Sequence, residues 1–144
     1  MEKNVKVELR TIIDDNGQME YNTLREPGKF YQKGQVDVIT FEEKTEEGTQ
    51  AVTKNLITIQ PGKVSIKRSG VVAMTQQFRA GQATENVYHH PHGTIHMETR
   101  TEDMSYQPLS EAASGHLKLT YAVKLNGEEA RNHQLDLFVE EETE

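Results

Sequence analysis

The residues that could do chemistry are few and fall in three places. Arg68 follows Val64 and Ile66 at two-residue spacing, so strand alternation turns its guanidinium toward the apolar face. A guanidinium facing an interior can clamp a carboxylate or phosphate through two parallel N–H donors. The same position also suits a structural role, pairing with an acid or capping strand carbonyls at a barrel end. If alternation breaks at Ser69-Gly70, the side chain stands in water instead. The second place is His89-His90-Pro91-His92, with His96 on the strand that follows. Neutral imidazoles suit zinc, copper and nickel, and three of them with an open position could serve a hydrolytic metal. No carboxylate sits inside the cluster at a recognisable ligand spacing; Glu98 could supply one, although alternation favours the solvent face beside His96 for it. The third is Arg79, Arg100 and Lys118, which with Glu98 and Glu102 interspersed read as a mixed outer face rather than a phosphate track.

Templates for known chemistry are absent. The chain has no cysteine, no G-x-S-x-G elbow, no glycine-rich phosphate loop and no H-E-x-x-H. The linear pattern therefore names no catalytic residue and no cofactor, and it leans away from an enzyme.

The elements that must position these residues are strands. Val5, Val7 and Leu9 alternate with Lys6, Glu8 and Arg10. Ile95, Met97, Thr99 and Thr101 alternate with His96, Glu98 and Arg100, and Leu117 to Leu125 is the cleanest run. An apolar period of two sustained over many segments predicts strands with one buried and one wet face. Turn signals separate them: Asn16-Gly17, Lys33-Gly34, Glu46-Glu47-Gly48-Thr49, Pro61-Gly62, Ala80-Gly81, Pro91-His92-Gly93 and Asn126-Gly127. Pro27, lacking a ladder donor, is expected to interrupt the second strand near Glu26-Pro27-Gly28. Val36 to Glu43 is apolar on both faces, which predicts a covered outer side or an inner face lining a cavity. Pro108 to Ser114, ended by Gly115, has the length of one helical turn or a flap.

About eight to ten strands at hairpin spacing predict one antiparallel up-and-down β-barrel over residues 1–144, since closure removes sheet edges. The expected core holds Val5, Val7, Leu9, Ile66, Met74, Phe78, Ile95, Met97, Leu117, Leu119, Tyr121, Leu135 and Leu137. The acidic stretch at about 140–144 is expected to fray. A net charge of −7, a pI near 5.4 and 6% aromatic content argue against nucleic acid or an anionic membrane as partner. The opening residues carry no signal-peptide pattern and no run reaches membrane-span length, which predicts a cytoplasmic protein.

Val64-Ser65-Ile66-Lys67-Arg68-Ser69-Gly70, then Met74 and Phe78-Arg79-Ala80-Gly81, resemble a small bacterial family, as do Thr84, Tyr88, Gly93, the Thr99–Thr101 segment and Leu119-Thr120-Tyr121. These are the YwiB-like uncharacterised β-barrel proteins of Gram-positive bacteria, a domain of unknown function. The resemblance covers nearly the whole chain and implies a calycin-like, lipocalin-type barrel. It implies no activity, and His89, His90 and His92 stand where the family pattern has less ionisable residues.

These observations lead to a barrel that binds a small, partly apolar molecule, anionic if Arg68 is its anchor. The alternative is a filled barrel acting through its surface as an interaction or oligomeric module. A hydrolase using a metal held by His89, His90 and His92 ranks behind both.

Overall fold

The computed structural model describes residues 2–44, 52–70, 72–109 and 114–142, and only the backbone of His90. Among these residues ten strands follow one another: β1 (Glu2–Asp15), β2 (Gln18–Lys33), β3 (Val36–Lys44), β4 (Val52–Gln60), β5 (Lys63–Ser69), β6 (Met74–Phe78), β7 (Ala83–His90), β8 (Gly93–Gln107), β9 (Ser114–Leu125) and β10 (Arg131–Glu141). They form one antiparallel sheet in the order β6-β5-β4-β3-β2-β1-β10-β9-β8-β7. The chain thus meanders along one half, then the other, with β1 against β10 joining the two.

The ends of this order meet. Ala73 and His89 exchange backbone hydrogen bonds of 3.0 and 2.8 Å, and the Thr84 hydroxyl donates to the Gln77 carbonyl at 2.7 Å. The Gly81 amide donates to the Thr101 carbonyl at 2.8 Å and the Thr101 amide to the Gln82 carbonyl at 3.1 Å, tying the β6–β7 turn to β8. The result is a nearly closed antiparallel barrel whose seam, β6 against β7, carries a single bridge instead of a full ladder. The tight reversals at Asn16-Gly17 and Asn126-Gly127 place both residues of each pair at positive φ, as two-residue hairpins demand.

Alternation carries the packing. Val5, Val7, Phe30, Ile39, Ile57, Val64, Phe78, Leu117, Leu119 and Leu137 close the interior, each at most 2% exposed. Leu9 and Met97 pack against this core half-buried, and Met74 and Ile95 are half-buried as well. On β3 the outward Val38 is buried to 7% exposure beside its cross-strand neighbours Tyr31 and Thr58. The doubly apolar pattern of that strand therefore reflects a covered outer side.

Two expectations need correction. Pro27 does not end β2, which runs on to Lys33 against β1. The ladder to β3 starts only at Gly28, so the missing N–H costs it nothing. Of the expected helical turn from Pro108 to Ser114, Leu109 has 3-10 backbone, residues 110–113 lie outside the described residues, and Ser114 already belongs to β9. Gly115 lies inside β9, where a Cβ would stand 3.1 Å from the Leu109 amide nitrogen, so its bareness lets the Gln107–Leu109 segment pack inward. The acidic terminus does not fray at 140. β10 continues to Glu141, Lys3 pairs with Glu141 at 3.0 Å, and the Glu142 amide bonds to the Asn4 carbonyl at 3.0 Å. The expected Glu46–Thr49 turn lies outside the described residues.

Candidate functional site

Arg68 sits at the inward position between Asn55 on β4 and Met74 on β6. Its guanidinium donates to the Glu43 carboxylate at 2.8 Å, and the Asn55 amide donates to the same oxygen at 2.9 Å. Glu43 shares its register parity with Ile39 and Phe41, which is why β3 turns it inward. Both members of the ion pair keep about a quarter of their side-chain surface in solvent. They stand at one mouth of the barrel, beside a cavity of about 420 Å³. Its floor is Ile57 and Ile66, its far wall is Tyr121, Leu135, Leu9 and Leu24, and Gln76 and Asn55 bring amides to it. Gln76 is buried and donates to the Thr99 hydroxyl at 2.8 Å.

Tyr121 is locked by an edge contact to Phe78, with centroids 4.8 Å apart, and by a stack with His133 at 5.1 Å. Burial raises the Tyr121 phenol well above its ordinary value. Burial, with a smaller contribution from the nearby Arg131 cation, pushes His133 down to about 4. The imidazole is thus neutral at physiological pH and behaves as part of the wall.

The opposite mouth is built differently. The Tyr106 phenol donates to buried Asp37 at 2.6 Å and Gln32 donates to its other oxygen at 3.0 Å. Burial and that carboxylate raise the Tyr106 pKa. A cavity of about 410 Å³ lies there as well, and Leu109, 2% exposed, plugs the interior beside it. Around Leu109 no space is left for a water molecule. The two mouths are therefore separate, with a packed core between them. Two grooves of about 790 and 670 Å³ run along the outer wall, the second bordered by Lys29, Lys44, Lys54 and Lys67. Both mix charged rims with apolar side chains, Phe138 and Val139 in the first and Phe41 and Leu56 in the second.

His89, His92 and His96 stand away from this mouth. His89 and His92 are exposed at the β7–β8 hairpin, and His96 faces outward 3.8 Å from Glu85. The His90 side chain is outside the described residues. Among the described residues no group of three or more His, Asp or Glu gathers to hold a metal ion. Arg79, Arg100 and Lys118 are exposed. Sequence reasoning placed Arg68 inward and missed its partner Glu43, the Asn55 amide that shares the same carboxylate oxygen, and Gln76 in the pocket lining. For Glu43 the parity with Ile39 and Phe41 was a usable signal.

Fold and mouth together define a small, nearly closed antiparallel barrel with a polar-rimmed pocket at one end. The chain belongs to the family described as a domain of unknown function, DUF1934, whose model matches residues 7–137. It is 25% identical over 139 residues to the uncharacterised β-barrel protein YwiB of Bacillus subtilis, covering 96% of this chain and 94% of that protein. The crystal structure of ywiB protein from Bacillus subtilis superposes with a TM-score of 0.85 at 23% identity, over 99% of this chain and 94% of that one. That likeness establishes the fold. No helix among the described residues is long and apolar enough to cross a membrane.

Proposed function

We propose that the protein is a non-enzymatic binding module, holding a small, partly apolar molecule of no net charge in the Arg68 mouth. One observation carries the reading: Glu43, Asn55, Arg68 and Gln76 meet over a floor of Ile57 and Ile66 in a cavity of about 420 Å³. Pockets of roughly 300–1,000 Å³ with a few convergent polar groups are typical of small-molecule sites. Arg68 already faces Glu43 at 2.8 Å, so the pocket presents a dipole rather than a free cation. An anionic ligand would have to displace or sit against that carboxylate, which disfavours the carboxylates and phosphates that Arg68 alone suggests.

The test is a matched series of hexanol, hexanamide, hexanoate and hexylamine, read by thermal melting and by native mass spectrometry of protein purified without a metal column. The uncharged compounds should raise the melting temperature; a ligand at a hundredfold its Kd adds about 2.7 kcal/mol. A response confined to hexanoate would overturn the uncharged reading. Silence across the series, with no carried small molecule in the native mass spectrum, would favour a barrel that works through its surface. The packed core between the two mouths supports that second reading.

A further inference from the structure

The seam where the barrel closes contains polar groups that the fold leaves unanswered. Asn86 on β7 turns inward opposite Met97, and Thr101 on β8 turns inward opposite Tyr121. Among the described residues neither polar atom of the Asn86 carboxamide finds a hydrogen-bond partner, nor does the Thr101 hydroxyl, and all three atoms are buried. Thr101 is 1% exposed. Native interiors rarely leave such groups unpaired, because each forfeits its hydrogen bonds to water on burial. An Asn with donor and acceptor both unmet points to something that fills the space in the working protein.

The seam adjoins the mouth pocket. Ala73 faces His89, and continuing that antiparallel register brings Gln76, three residues on, level with Asn86, three residues back. Gln76 and Tyr121 both line the pocket, and Gln76 spends its amide N–H on Thr99, between the two unpaired residues. Asn86 and Thr101 thus lie directly behind pocket-lining side chains. Their cover is β6, five residues long and paired with β5 along its whole length, but tied to β7 by one bridge and a few side bonds. A sheet edge joined across a seam by so few backbone bonds parts there at low cost.

We infer that Asn86, assisted by Thr101, is the inner hydrogen-bonding subsite of the mouth pocket, reading a carboxamide-type edge of the ligand. The inference rests on the binding-module reading and names the ligand's head group. A carboxamide presents an acceptor and a donor side by side, and the Asn86 carboxamide can answer both in one planar pair. A carboxylate offers acceptors only and leaves the Asn86 oxygen unmet. An alcohol can donate and accept only through one oxygen, so it cannot form the planar two-atom pair. The apolar body then lies over Ile57, Ile66 and Leu135, with the Arg68–Glu43 pair at the rim.

The experiment compares the wild type with Asn86→Leu and Thr101→Val, using hexanamide and hexanol as probes. In the wild type hexanamide should bind more tightly than hexanol. Each variant should melt at the same or a higher temperature than the wild type without probe, since an unpaired buried group has been removed. Asn86→Leu should weaken hexanamide by about tenfold and leave hexanol nearly unchanged, a loss typical of one buried hydrogen-bonding group. If Asn86→Leu keeps the full hexanamide response, internal waters alone occupy the seam and the inference fails. It fails too if hexanol binds wild type as well as hexanamide does, an outcome that leaves the binding module itself intact. Should a variant not fold, the wild-type side-chain amide proton signals of Asn86 decide the matter. They should shift and exchange more slowly with hexanamide present, and no change would overturn the assignment.

Discussion

At the scale of residues, the Arg68–Glu43 pair shows why an inward charge is read together with its partner. Each group is about a quarter exposed, so the pair lies between the surface and buried limits. Arg68→Met leaves Glu43 facing an apolar floor, and Glu43→Gln leaves the guanidinium unmatched. Either change should cost about 1–2 kcal/mol in urea unfolding, and the double variant Arg68→Met/Glu43→Leu should cost less than the sum. Full additivity would show that the two groups do not depend on one another. His133 makes a second test. Its folded pKa of about 4 lies below the ordinary 6.5, so the unfolded chain takes up the proton first as pH falls. The stability tied to neutral His133 is fully present above pH 6.5 and is lost on descending from 6.5 toward 4. Asp136, held below its ordinary 3.8 by its hydrogen bonds from Gln134 and His116 against the opposing effect of burial, acts only lower in pH. Melting temperature should therefore fall across the His133 window, and His133→Phe, which keeps the stack on Tyr121, should flatten that slope.

At the scale of elements, β2 and β9 each depend on a glycine for close approach rather than for a turn. Gly28 faces inward between Val5 and Phe41, where a Cβ would stand 2.6 Å from the Thr40 carbonyl oxygen and 2.8 Å from a Val7 methyl. Both neighbours belong to paired strands and have little room to yield. Gly28→Ala should cost about 1–3 kcal/mol by overpacking, measured as a lower urea midpoint. Gly17→Ala meets no neighbouring atom and is strained only through its φ of +91°. An unchanged midpoint for Gly28→Ala would show that the β2–β3 contact is looser than described. The same close packing explains why Pro27 is tolerated next door: β2 is held through β1, and β3 joins it one residue later.

At the scale of the whole molecule, the barrel is strong where β1 meets β10 and weak where β6 meets β7. The first junction is a ladder from Val5–Glu141 to Asp14–Asn132, while the second is one bridge. Hydrogen exchange should accordingly find the Ala73 and His89 amides less protected than the Val7 and Leu137 amides. Equal protection at both junctions would mean that the seam is closed by more than its backbone bonds. The strands, most turns and the inward direction of Arg68 were legible in the sequence, because side-chain alternation and positive-φ turn residues are properties of a few neighbouring positions. So were most of the expected core positions, among them Val5, Phe78, Leu119 and Leu137. The continuation of β2 through Pro27 was not legible, since it depends on which neighbouring strand begins where. Nor was the role of Gly115, whose missing side chain matters only once Leu109 lies against it. The site itself belongs to tertiary structure. Glu43 and Arg68 are 25 residues apart in the chain, as are neither of them close to Tyr121 or Leu135, and only the order of strands around the barrel brings them to one mouth. Local pattern decides which way a side chain faces, but barrel closure and shear decide what it faces.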